Sequence, residues 1–235
     1  MGSIFNMEGP FFRFGNAIAD IMILSFIWIL FSIPLFTIGA STTALFYVTT
    51  RRISDKEGYL FKDFYSSFKS NFKMATKLWL LFAGLFGLLA ANVYMLWNFD
   101  FFDPWMATIL LPIQILILIE LSITSIYLFP ITARFEMSFR QTIKSAFFMA
   151  NRHLLTTLSC VVTALAILLA AEMFFPPLFM VSMGLYAYVT SYMFIVIFRK
   201  YRPELDSEQI ATEPLLPILD FDDENPDTDD NLSDQ

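Results

Sequence analysis

The basic residues of this chain are confined to alternate gaps between long apolar runs, and that arrangement leaves few folds open. The gap from Arg51 to Lys77 holds seven Lys/Arg, that from Asn98 to Pro104 none, that from Pro130 to His153 four, and that from Glu172 to Pro177 none; Arg199 to Arg202 then holds three. Short basic loops stay in the cytoplasm, so the alternation reads as a helical membrane protein threaded in one orientation. The apolar runs cover roughly 18–36, 78–97, 105–129, 154–173 and 178–198. Each is about 20 residues, which at 1.5 Å per residue crosses a hydrocarbon core of about 30 Å. None alternates apolar with polar residues as a barrel strand would. The expectation is an all-α polytopic transmembrane helical bundle of about five spans, N-terminus outside and C-terminus inside, multi-pass in the cell membrane. A four-span alternative merges the last two runs, but its helix would have to pass Pro176-Pro177 unbroken.

Charge is segregated along the chain. Residues 1–203 hold 15 Lys+Arg against 10 Asp+Glu, a balance of +5, while residues 204–235 hold 12 acids and no base, a balance of −12. The expected organisation is a transmembrane domain over 1–202 followed by an acidic, disordered cytoplasmic tail over 203–235, because such a tail buries too little apolar surface to order itself. Leu215, Leu216, Ile218, Leu219 and Phe221 form a short apolar island in it, which leaves open a tether that docks on a partner or on a basic face. The single cysteine, Cys160, excludes an internal disulfide. The first residues carry Arg13 as their only base and do not read as a signal peptide.

The segment Ser41 to Lys77 is expected to be long, cytoplasmic and amphipathic. In it Phe61, Phe64, Phe68 and Phe72 recur at helical spacing with Lys62, Lys69 and Lys73 interleaved. Such a helix suits the membrane interface or a partner, and leads into the second span. The second basic gap echoes it. Setting 63–77 against 138–152, an offset of 75, pairs Phe64 with Phe139, Lys69 with Lys144, Ser70 with Ser145, Phe72 with Phe147, Met74 with Met149, Ala75 with Ala150 and Lys77 with Arg152. The unit would be a basic amphipathic helix followed by a helical hairpin, used twice in parallel. Arg140, Lys144 and Arg152 then fall in an amphipathic segment that echoes Lys62–Lys77.

Signals for chemistry are sparse. The sole histidine, His153, follows Arg152 at a span start and suits an interfacial role. There is no phosphate-binding Gly-x4-Gly-Lys loop and no nucleophile elbow. No catalytic, cofactor-binding or metal-binding residue, and no nucleic-acid partner, is expected. Charged and polar groups within spans are the default functional candidates, because burying them is costly. These are Glu120 near the middle of the third run, Asp20 a turn inside the first, and Asn92 and Gln114. Glu120 is expected either to pair with a polar group such as Asn92 or to be held protonated by desolvation, as a proton- or substrate-handling carboxylate or as a clasp between helices. Pro34 and Pro112 are expected to kink their helices. The string PLFTIGASTTAL, Pro34 to Leu45, reads as a tightly packed helix end or as a coupling surface at the cytoplasmic boundary, with Gly39 and Ser41 as its candidate residues.

That string and its surroundings resemble the YesL family of bacterial integral membrane proteins. The matching residues are Pro34, Thr37-Ile38-Gly39-Ala40-Ser41 and Ala44-Leu45, continuing through Glu57-Gly58, Phe64, Ser67-Phe68-Lys69, Asn71-Phe72-Lys73 and Ala75-Thr76 to Trp79-Leu80. The resemblance covers roughly residues 10–200 and excludes the acidic tail. It implies a non-enzymatic helper of a carbohydrate ABC importer, with permease subunits as partners. The chain lacks the Glu-Ala-Ala coupling signature of importer permeases, so it is not read as the pore. Two basic cytoplasmic segments suit a subunit gripping partners or anionic lipid headgroups at the inner face. The rival expectations are a small independent transporter using Glu120, and a membrane enzyme acting on lipid or glycan, which the scarcity of histidine and the lack of paired carboxylates at one depth disfavour.

Overall fold

In the computed structural model residues 10–54, 58–98, 104–173 and 178–201 are described, and among them every regular element is helical. The candidate tail 203–235 lies outside the described residues. The elements are α1 (Pro10–Ser32), a 3₁₀ turn (Leu35–Thr37), α2 (Ile38–Ile53), α3 (Leu60–Asn98), α4 (Pro104–Arg134), α5 (Phe139–Arg152), α6 (Leu154–Met173) and α7 (Leu178–Tyr201). The chain divides into two compact units, Met1–Val196 and Ile197–Gln235; of the second, residues 197–201 are described, as the end of α7.

Five segments are long and apolar enough to cross a membrane: Gly15–Ser32, Leu60–Trp97, Thr108–Arg134, Leu154–Met173 and Phe179–Arg199. Their number agrees with the expectation, but their ends do not. α1 stops at Ser32 rather than continuing through Phe36. Pro34 therefore does not kink a helix; it lies beyond one, at φ −73° and ψ 111°. A residue preceding proline is pushed out of the helical region, which ends α1 before Pro34. The Thr37 hydroxyl lies 2.6 Å from the carbonyl oxygens of both Phe31 and Pro34, so carbonyls left over at the helix end have a donor. Pro112 and Pro130, in contrast, both lie inside α4. The third of these segments thus extends past Phe129, where the sequence pointed to a loop.

The segment 41–77 is not one amphipathic unit. Its first part is α2, which buries Gly39 to Phe46 without a break and then Val48 and Thr49. A helix buried all round must hide its own polar groups, and α2 does so within itself. Ser41, Thr43 and Thr49 donate to the carbonyls of Thr37, Gly39 and Leu45 at 3.1, 2.9 and 2.9 Å. At about 24 Å α2 is shorter than a hydrocarbon core. Its neighbours run antiparallel to it. Trp28 Nε1 donates to Thr42 Oγ1 at 3.1 Å while Asp20 meets Arg52, so α1 and α2 form a hairpin. Gly39 lies against Ala75 and Trp79 while Arg51 meets Asp63, so α3 runs back along α2.

α3 is one uninterrupted helix of 39 residues. It spans about 57 Å, nearly twice the hydrocarbon thickness. The counterpart in the second half is broken: α5 ends at Arg152, His153 leaves the helical region at φ −113° and ψ 52°, and α6 begins at Leu154. α5 starts on a capping box in which the Gln141 side chain accepts from the Ser138 N–H at 3.1 Å. It buries Thr142, Ala146, Met149 and Ala150 and exposes Arg140 and Lys144.

Candidate functional site

The residues singled out from the sequence separate into two groups in the structure. Around α2 they come together. Gly39 is where α2 touches α3: a Cβ there would lie 2.6 Å from the Ala75 carbonyl oxygen and 2.6 Å from Trp79 Cβ, so only glycine permits the approach. Trp79 in turn donates its indole N–H to the Leu35 carbonyl at 2.9 Å. Ser41 is wholly buried, its hydroxyl bound within its own helix, and offers nothing to a ligand. From Gly39 to Leu45 the string is a packed wedge, while Pro34, Leu35 and Phe36 before it are exposed.

The far end of that wedge holds two arginines that sequence reasoning passed over. Arg52 Nε donates to Asp20 Oδ2 at 2.6 Å, with Nη2 at 3.4 Å from Oδ1, so one edge of the guanidinium faces both carboxylate oxygens. Arg51 pairs with Asp63 of α3 at 3.7 Å. Two consecutive side chains point to opposite flanks of a helix, and here one clamps α1 and the other α3. Gly58 packs on this second pair, where a Cβ would overlap the Asp63 carboxylate. Asp20 is thus half of an ion pair between helices. A local signal existed for Arg51 and Asp63, which are close in sequence; for Asp20 and Arg52 there was none.

α7 closes on the same cluster through small groups. Gly184 lies against Ser25 and the Ile21 carbonyl of α1. Ser191 shares a 2.9 Å hydroxyl contact with Thr49 of α2. Phe194 sets its ring edge-on to Phe46 and Tyr127 at centroid distances of 5.9 and 5.3 Å.

The other polar candidates do not join this cluster or one another. Gln114 Nε2 donates to Asn92 Oδ1 at 2.8 Å, tying α4 to α3. Gln114 is buried and its Oε1 has no hydrogen-bond partner among the described residues. Glu120, expected to seek Asn92, instead accepts from Asn151 Nδ2 of α5 at 2.7 Å and from Thr124 Oγ1 at 3.5 Å. The reason is position: Asn92 is already taken by Gln114, while the end of α5 comes to Glu120 through a break in the chain that the sequence did not announce. Glu120 is half-buried and Asn151 exposed. His153 forms the break itself. Among the described residues no three His, Cys, Asp or Glu side chains lie together as a metal site would require.

Lys69, Lys73, Arg140 and Lys144 are all exposed. Beside the first two, Phe64 is fully buried, whereas Phe61 and Tyr65 remain about half exposed. Phe31 of α1 rests among these rings, with centroids 5.4 Å from Phe64 and 5.0 Å from Phe68.

Residues 21–93 match the family described as protein of unknown function, DUF624. The matched stretch runs from within α1 to near the end of α3, and so contains the wedge, Arg52 and the Arg51–Asp63 pair, while Asp20 lies just before it. No curated protein and no solved structure gives a match.

Proposed function

We propose that this protein is a non-enzymatic polytopic subunit of the bacterial cell membrane, accessory to a carbohydrate ABC import system. One observation carries the reading. The carboxylates set between helices are taken up in holding helices together, Asp20 by Arg52, Asp63 by Arg51 and Glu120 by Asn151, while Lys69, Lys73, Arg140 and Lys144 face outward. A chain so arranged is suited to gripping something at its basic end. The resemblance to YesL proteins supplies the partner class, permease subunits, and basic amphipathic helices at the inner face would also meet anionic headgroups. Recovery of a permease or its ATPase with the tagged chain in mild detergent, and slower sugar uptake on its deletion, are the expected results. Neither partner recovered, with uptake unchanged, would sink the proposal.

The charge pattern places the N-terminus outside and the C-terminus inside. The Asp20–Arg52 pair pulls the other way, since it sets the first half of α1 beside the arginines of the basic end. A cysteine at Asn6, in a Cys160→Ala background, decides between them: labelling by an impermeant maleimide on intact cells upholds the charge rule, and protection upholds the hairpin.

A further inference from the structure

Lys69 and Lys73 stand one turn apart on α3, and among the described residues neither forms an ion pair. With Tyr65, Phe68, Ser70 and Phe72 they line a surface groove of about 540 Å³. Two like charges one helical turn apart repel each other unless an anion lies between them. The Ser70 hydroxyl donates to the Ser67 carbonyl at 3.1 Å, so the charged donors of the groove are the two lysines.

The groove's wall is aromatic, and the same rings belong to a second surface. Tyr65 and Phe68 pack on Phe31 of α1, at centroid distances of 6.3 and 5.0 Å. Around Phe31, α1 and the turn after it leave Leu30, Ile33, Leu35 and Phe36 at least half exposed. A helix apolar enough to cross a bilayer, with such side chains uncovered, needs hydrocarbon against it. Two cations and a hydrocarbon-seeking face thus meet across one cluster of rings, an arrangement that suits a molecule with an anionic head and an apolar body.

We propose that this groove binds an anionic phospholipid, its phosphate on Lys69 and Lys73 and its upper acyl chains on Phe68, Phe72 and the exposed edge of α1. A free anion would use the lysines but not the rings, and a neutral lipid the rings but not the lysines. The proposal rests on placing the basic end at the membrane surface. It deepens that reading by naming the lipid class and the residues that choose it.

The full chain, purified and delipidated in detergent, is titrated with phosphatidylglycerol or phosphatidylcholine and bound lipid is read by native mass spectrometry. Phosphatidylglycerol is expected to bind more tightly. The double variant Lys69→Gln/Lys73→Gln should weaken it roughly 30-fold, each basic residue contributing about fivefold. Arg140→Gln/Lys144→Gln removes the same charge outside the groove and should weaken it clearly less. Both pairs are exposed, so unchanged thermal unfolding is the check that each variant is folded. Equal affinity for the two lipids, equal losses from the two double variants, or displacement by inorganic phosphate at matching concentration would each overturn the proposal. Lys62→Cys in the Cys160→Ala background separates the premise: labelling of this cysteine from outside the cell removes the inner-face placement and leaves the detergent result standing.

Discussion

The two basic segments that align at an offset of 75 residues enter the bundle in different ways. The first runs straight on from Lys77 through Leu78 as the single helix α3; the second stops at Arg152, turns at His153 and starts again as α6. The cause lies in which side chains follow. Ala75, Leu78 and Phe82 are buried and apolar, so α3 keeps one continuous face against α2. At the aligned places the second copy has Ala150, His153 and Thr157. Thr157 Oγ1 lies 3.0 Å from the Ala150 carbonyl and 3.1 Å from that of His153, with the Tyr127 hydroxyl 3.1 Å from it. Carbonyls released by the break therefore find donors, and without them a break in an apolar surrounding would be expensive. A segment of similar sequence becomes a rod where its neighbour is a small-residue wedge, and a bent pair where hydroxyls can satisfy the bend.

Breaking the rod should have the largest effect. Gly39→Leu drives a side chain into the Ala75 backbone and Trp79, and is expected to cost about 3 kcal/mol or more, seen as lost folded yield and a lower Tm in detergent. Gly84, on the same helix α3 but with nothing within 4 Å of a Cβ, is the control: Gly84→Ala should be neutral or stabilising by up to about 1 kcal/mol. Next comes the clamp at the other end of the wedge. Asp20→Asn and Arg52→Gln should each cost about 1–3 kcal/mol. Their double variant should cost less than the two singles summed, because both remove one interaction. Additive losses would mean that the pair does not couple α1 to α2. In the second half, Thr157→Val should cost about 1–2 kcal/mol by stripping the donor from the break, with faster hydrogen exchange around residues 150–157 as its signature. Ser159→Ala, which removes a half-buried hydroxyl bonded to the Leu155 carbonyl within α6, is the comparison and should change little. The smallest effect belongs to Glu120→Gln. An amide still accepts from Asn151, so stability should move by less than about 1 kcal/mol and sugar uptake should hold. Altered transport in proteoliposomes with this variant would favour the independent-transporter reading instead.

What could be read along the chain was whatever local composition dictates. The five apolar segments were legible because length and hydrophobicity decide a span. The small-residue string at Pro34 to Leu45 announced close packing, since Gly39 and its neighbours have little else to do. The ends of elements were less legible. Pro34 was assigned to a kink when it terminates α1, and Pro130 to a loop when α4 passes through it, because a proline's effect depends on whether nearby groups can take up the freed carbonyls. Partners were least legible. Asp20 and Arg52 are 32 residues apart, Gln114 and Asn92 22, and Glu120 and Asn151 31, and no spacing rule reaches so far.

The sequence by itself determined a helical membrane protein with five candidate spans and a strong separation of charge, because those properties are sums over neighbouring residues. Only the tertiary structure decided which charges are spent on holding helices together and which are left facing outward. That choice depends on the close approach at Gly39 and on the hairpin that returns Arg52 to Asp20, both of them contacts between residues that the chain keeps far apart.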